Sequence, residues 1–373
     1  MDIEKEFTAI TKKRALNQLL QKYEILLNEL YQGDVYIWGT GRLGHFAYEQ
    51  CQRNHIEIRG YIDNDESKWS VADLVFSCER LISSDIVIIA SLYYPDIIDK
   101  LQVLGIKKYI YYEELAFLID GLETYSPTFR DILGELETNK EQYRKVYDLL
   151  EDDLSKEIYK NIISYRNTLD IKYTKRAFEL SLTEGVQDFD KIVTGKLDKE
   201  YSFYDVGGFD GESTIQYIAH VGEYNEIYFF EPDKTIMNCA KERLKNYRDV
   251  IFIQAGVGER KGLQKYEAIG NGAGAFLEEG REKVEMVALD EFVDSHKSYI
   301  KMDIEGYELP ALKGAERCIK QYKPMLSVSV YHLPGDIHRI IQLVLSWNSG
   351  YKVYMRHYSN SYVDTRVYFV DEE

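Results

Sequence analysis

The chain has 373 residues, of which 45% are hydrophobic and 29% charged, enough for two or three globular domains with sizeable cores. A net charge of −17 argues against non-specific nucleic-acid binding, which needs basic patches to displace counterions, so no nucleic-acid partner is expected. Four scattered cysteines without zinc spacing, an N-terminus without a signal-peptide pattern and apolar runs no longer than a strand lead us to expect a soluble, cytoplasmic protein with no membrane span.

In chain order, Leu16, Leu19, Leu20, Tyr23, Leu26 and Leu30 recur at helical spacing and predict an amphipathic helix over 14–30. Val35 to Trp38 reads as a short buried strand, followed by Gly39, Gly41 and Gly44 and a helical stretch. Further strands are expected at Ile56 to Ile62, at Asp85 to Ala90 and from Lys108, so residues 1–118 predict a small parallel sheet with helices on both faces. The Gly39-x-Gly41-x-x-Gly44 loop, with Asp63 after the second strand, has the context of a dinucleotide fingerprint. Three readings stay open: a nicotinamide cofactor, a nucleotide-sugar, or a scaffold loop that binds nothing. The stretch is short for a dehydrogenase. It looks like the nucleotide-sugar-binding domains attached to some sugar-modifying enzymes, which favours the second reading.

Residues 119–198 are charged and helical in texture and read as a connecting segment. From 199 to 373 the strand–helix alternation restarts, with strands at 201–206, 226–231, 250–255, 299–303 and 325–330. Tyr351 to His357 and Thr365 to Val370 follow as an antiparallel pair. The fold class is therefore α/β: two Rossmann-like domains, the second a mostly parallel seven-stranded sheet closed by an antiparallel hairpin, as in class I methyltransferases.

Asp205-Val206-Gly207-Gly208-Phe209-Asp210-Gly211-Glu212-Ser213 lies between a strand and a helix, where glycines allow a tight turn and close approach of a ligand to main-chain N–H groups. An acid at the mouth of this loop repels phosphate and welcomes an ammonium, which favours S-adenosylmethionine over a dinucleotide. Glu231 ends the next strand, where a carboxylate accepts from both ribose hydroxyls. These stretches, together with Phe230-Glu231-Pro232-Asp233, Ile300-Lys301-Met302-Asp303-Ile304-Glu305-Gly306-Tyr307-Glu308 and Leu312-Lys313-Gly314-Ala315, resemble the FkbM family of methyltransferases. The resemblance runs from about residue 200 to the end. It implies O-methylation, commonly of sugars, capsule or lipopolysaccharide components, or polyketides. It also implies that Asp205, Gly207 and Gly211 line the methionine end, that Glu231 binds the ribose, and that Ala255-Gly256 lies near the adenine; Gly208 and Ser213 of the same loop are expected to bind the cofactor as well. Many members carry alanine at Gly208.

Asp303 ends a strand at the sheet edge where ligands bind in open α/β folds, and the next strand delivers Tyr331-His332 to the same edge. His332 is therefore expected to take the acceptor's proton as a neutral imidazole, with Asp303 orienting it. Glu308 reads as a helix-start residue. No metal is expected, because magnesium favours oxygen ligands and Tyr331-His332 stands where an acidic pair would be needed. The glycine-rich loop from Gly270 to Gly274 either closes over the acceptor or turns a hairpin. The expected partner is a small-molecule or glycan substrate, and a homo-oligomer is compatible with the sequence. The rival readings are a nucleotide-sugar-binding regulatory or assembly protein with a degenerate methyltransferase half, and an NAD-dependent oxidoreductase centred on the first loop.

Overall fold

Val35-Tyr36-Ile37-Trp38 and Ile86-Val87-Ile88-Ile89 are buried at every position, as the central strands of a parallel sheet covered on both faces must be. The computed structural model describes Phe7 and residues 10–371, apart from 184, 269–273, 277–279 and 281. The chain falls into two units, residues 1–140 with 161–175, and residues 141–160 with 176–373.

In the first unit, helix α1 (Lys12–Glu29) is capped by Thr11, whose side chain accepts from Arg14 N, and it buries Ala15, Leu19, Tyr23 and Leu26. Five parallel strands follow: β1 (Val35–Trp38), β2 (Ile58–Ile62), β3 (Val75–Phe76), β4 (Ile86–Ile89) and β5 (Lys108–Tyr111). Their spatial order is β3-β2-β1-β4-β5, that of doubly wound α/β sheets, with helix α2 (Arg42–Arg53) after β1 and α3 (Tyr94–Val103) after β4. Strand β3, only two residues long, gives too little periodicity to be read from the sequence.

The segment 119–198 is divided between the units, and the division runs through helix α4 (Asp153–Thr168). Its last part belongs to the core of the second unit, where Phe189 and Val193 pack with Phe203, Tyr217 and Tyr299.

The second unit is built on seven strands: β6 (Ser202–Val206), β7 (Ile227–Phe230), β8 (Val250–Ile253), β9 (Ser298–Met302), β10 (Met325–Ser329), β11 (Lys352–His357) and β12 (Thr365–Val370). They run in the order β8-β7-β6-β9-β10-β12-β11; the first five are parallel, and β12 pairs antiparallel with both β10 and β11. This is the seven-stranded sheet with a terminal hairpin read from the sequence. The aromatic rings of Phe203 and Tyr217 stack 4.3 Å apart between β6 and helix α5 (Glu212–Val221), and Tyr204 stacks on Tyr228 at 4.8 Å, which locks β6 to its neighbours. On another patch, Phe229 packs with Met237, Ala240 and Leu244 of helix α6 (Lys234–Leu244). A separate four-stranded sheet formed by Gly256–Val257, Gly262–Ala268, Gly274–Phe276 and Glu282–Val287 was not foreseen. Gly270 to Ala273 of the expected flexible loop lie outside the described residues.

Candidate active site

Parallel register brings the second glycine loop and the Asp303 strand end together. Asp205 lies opposite Lys301 across β6 and β9, and Asp303 N donates to Val206 O at 3.0 Å. Gly207, at φ +77°, allows that closeness, since a Cβ there would lie 2.0 Å from Asp303 O. Gly208 has another job. A Cβ on it would meet the Phe229 ring at 2.2 Å, so the glycine makes room for Phe229. Gly211, at φ +89°, turns the chain into α5.

Asp205 is not at the loop's mouth. It is fully buried, and both its oxygens are committed: Oδ2 accepts from Ser213 Oγ at 2.6 Å and Thr214 Oγ1 at 2.8 Å, and Oδ1 accepts from Lys301 Nζ at 3.1 Å. The expectation that Asp205 meets a ligand ammonium is corrected accordingly: it organises the loop from below. Ser213 spends its hydroxyl hydrogen on the same carboxylate. Lys301, 4% exposed, also donates to Gly207 O at 2.7 Å, so one buried ammonium ties the acid to the loop backbone. The sequence reading had given Lys301 no role.

Glu231 follows β7 and is nearly buried, with Oε1 accepting from Asp233 N at 2.8 Å. Burial pushes its carboxyl up to about 7, although the Asp233 backbone N–H favours the charged form. Glu231 N donates to Ile253 O, and Ala255 and Gly256, both buried, follow β8 at the same edge.

The ends of β9 and β10 assemble a second cluster. Asp303 accepts from Ser329 Oγ at 2.8 Å, Tyr331 OH at 3.3 Å and Arg366 Nη2 at 2.7 Å. Arg366, buried on β12, also faces Asp188 at 3.4 Å. Burial opposes ionisation of Asp303, but Arg366, His332 and Lys301 outweigh it and hold the carboxyl well below its usual range. His332, 7% exposed, donates from Nδ1 to Glu308 Oε1 at 2.9 Å, while its Nε2 lies 3.4 Å from Asp303 Oδ1 and 3.6 Å from Glu305 Oε2. Glu308 is 1% exposed and also accepts from Ile304 N at 3.0 Å. It does open helix α7 (Glu308–Lys313), as expected, but its side chain points inward and is the partner that orients His332.

The surroundings of His332 differ from those the sequence reading expected. Burial alone would keep the imidazole neutral, yet Glu308, Asp303 and Glu305 together push His332 up to about 10. These acids favour the charged ring over the neutral one expected of a base. The orienting acid on Nδ1 is Glu308 rather than Asp303.

The first glycine loop is also built as a tight turn. Gly39 has φ +119°, and a Cβ on Gly44 would sit 2.0 Å from Gly39 O. Gly41 faces open space, and α2 begins there without a side-chain cap. Asp63, expected to belong with this nucleotide loop, is committed within the protein: it accepts from the Thr40 backbone and hydroxyl, from Asp65 N at 2.9 Å and from Lys68 at 3.3 Å. Burial works against its charge, but these partners keep its carboxyl below the usual value.

A methyltransferase FkbM domain model matches residues 205–353. Among solved structures, methyltransferase FkbM from Methylobacillus flagellatus KT is 20% identical, with 95% of this chain and 99% of that one covered at a TM-score of 0.70, a likeness of fold. An rRNA methylase from Streptococcus thermophilus is 14% identical over 48% of this chain and 90% of its own, at a TM-score of 0.32. No curated protein matches the chain. No helix among the described residues is long and apolar enough to cross a membrane. With the family model covering the loop, the Glu231 strand end and the Asp303–His332 cluster, this chain carries a methyltransferase FkbM domain at residues 205–353 and is an enzyme of methyl transfer.

Proposed function

We propose that the chain transfers a methyl group from S-adenosylmethionine to a hydroxyl oxygen of a sugar or glycan precursor of polysaccharide, capsule or lipopolysaccharide type. The observation that carries this reading is the convergence of two groups on one sheet edge. The glycine loop and Glu231 lie at the ends of adjacent β6 and β7, and the Asp303–Glu308–His332 cluster lies at the ends of β9 and β10 beside them. Glu231 would hold the ribose of the donor, since its two carboxylate oxygens can accept more than the backbone N–H groups of Asp233 and Phe209. The backbone of the loop at Gly207 to Gly211 would receive the methionine end, held in shape by Asp205, Ser213 and Lys301. Ala255-Gly256 would border the adenine.

S-Adenosylmethionine supplies an already activated methyl group. The protein's main task is then in-line placement, which can contribute ~7–11 kcal/mol, and deprotonation of the hydroxyl adds ~10²- to 10⁴-fold. Asp303 and His332 would position and polarise the acceptor hydroxyl at the cluster. We also propose that the first unit binds a nucleotide-sugar, a reading supported by the open space at Gly41 and the uncapped start of α2, both of which suit a phosphate.

The test is mass spectrometry of nucleotide-sugars and glycan precursors incubated with the full chain and methyl-labelled donor. Transfer of the label to oxygen, lowered ~10²-fold or more in His332→Ala with donor binding kept, supports the proposal. Full transfer by His332→Ala, or label only on nitrogen or carbon, overturns it.

A further inference from the structure

Three carboxylates surround one imidazole at the edge of the sheet, and their spacing is informative. A proton shared between His332 Nε2 and either neighbouring carboxylate would draw the atoms to about 2.7–2.9 Å. The distances are instead 3.4 Å to Asp303 Oδ1 and 3.6 Å to Glu305 Oε2. Two ligands of one ion, each about 2.1 Å from it, stand that far apart when they subtend roughly 110–120°. The Nδ1 side is already arranged, since it donates to the buried Glu308 at 2.9 Å, and that bond leaves the Nε2 lone pair facing the carboxylates. An acid behind a ligating histidine is the usual way such a ring is aimed at a metal.

Independently of the spacing, Glu308 Oε2 is buried and has no hydrogen-bond partner. One donor atom from each of Asp303, Glu308 and His332 lies within 4.8 Å of the other two, the one group of this kind found among the described residues; Glu305 is not part of it and adjoins it through Oε2, 3.6 Å from His332 Nε2. Asp303 is prepared for a fixed role by Ser329, Tyr331 and Arg366, which hold its carboxylate in one orientation.

We infer that Asp303, His332 and Glu305, with Glu308 behind the imidazole, bind one divalent cation. This proposal departs from the expectation of a metal-free site. A donor set of one imidazole nitrogen with carboxylate oxygens suits a first-row transition ion such as Mn²⁺ better than Mg²⁺, which prefers an all-oxygen octahedral shell. A water on the ion would give the orphaned Glu308 oxygen a donor to accept from.

The role of the ion in catalysis rests on the methyltransferase reading above; its binding does not. The ion would hold the acceptor hydroxyl and lower its pKa. The O–H bond breaks with the proton passing to water, and the O–CH₃ bond forms as the S–CH₃ bond breaks, leaving a methyl ether and a neutral thioether.

The experiment is electron paramagnetic resonance titration of the full chain, freed of metal by chelation, with Mn²⁺. One Mn²⁺ per chain is expected, displaced only by a large excess of Mg²⁺. Glu308→Gln should weaken binding by ~10–100-fold, as loss of the partner behind a ligating histidine does. Glu305→Gln, at a half-exposed position that folding tolerates, should weaken it as well, with unchanged melting temperature. A free Mn²⁺ signal undiminished by the wild-type chain, or equal binding by folded Glu305→Gln and Glu308→Gln, overturns the site. Mn²⁺ bound at one per chain with no methyl transfer to any hydroxyl would keep the site and refute the methyltransferase reading. Full transfer by a chain that binds no Mn²⁺ would do the reverse.

Discussion

Replacing Lys301 with Met should damage the protein more than any surface lysine would. Lys301 Nζ is 3.1 Å from a carboxylate of zero exposure, Asp205, and 2.7 Å from Gly207 O. Lys301→Met leaves that charge with only the hydroxyls of Ser213 and Thr214, and leaves the Gly207 carbonyl without its ammonium. Breaking one side of a buried pair costs about 3–5 kcal/mol, whereas removing both partners together is often close to neutral. The double variant Asp205→Asn/Lys301→Met should therefore lose less than the sum of the single variants, with a coupling of about 1–3 kcal/mol. Urea unfolding of the four proteins measures this, and calorimetry with S-adenosylmethionine should show the loop failing in parallel, with Lys301→Met binding the donor more weakly than the double variant does. A loss below about 1 kcal/mol in Lys301→Met, the scale of an exposed pair, or strict additivity, would refute the claim that this pair organises the loop.

The space filled by Phe229 makes Gly208→Ala costly: the 2.2 Å approach to the ring should cost about 1–3 kcal/mol, and Gly208→Ala/Phe229→Leu should recover part of it in thermal melts. In the first unit, burial pushes Glu113 up to about 7 although Tyr125 N and Ser126 N donate to it. Because the folded state then keeps a proton that the unfolded chain releases, stability is fully present below about pH 4.5 and is lost as pH rises through 7, by a total of about 3 kcal/mol. Denaturation from pH 5 to 8 should show this fall, and Glu113→Gln should flatten it; identical pH profiles would contradict the assignment.

What the sequence revealed and what it concealed divide along a physical line. Buried runs such as Val35 to Trp38 and Ile86 to Ile89, and the closing pair of β11 and β12, are local patterns that a chain displays without its partners. The glycine loops are local as well, because a left-handed φ at Gly207 or Gly211 demands a residue without Cβ wherever it occurs. The contacts that decide the site are not local. Lys301 meets Asp205, and Arg366 meets Asp303, through the register of strands far apart in sequence. Two acids that looked available, Asp63 and Asp205, prove committed inside the protein because their nearest neighbours in space could not be listed from spacing alone. Glu308 shows the converse: its helix-start position is legible, but its inward rotamer against His332 is not. The signal that could have raised Lys301 was its place in a strand buried at every position, since a lysine there needs a partner.

The most direct test of the central claim, donor binding at the β6–β7 edge, is calorimetric titration of the full chain and of Glu231→Ala with S-adenosylmethionine. One donor per chain should bind, and the variant should bind more than tenfold more weakly, since hydrogen bonds to a charged carboxylate contribute ~1.5–3 kcal/mol. No binding by the wild-type chain, or equal affinity in the folded variant, would contradict the account.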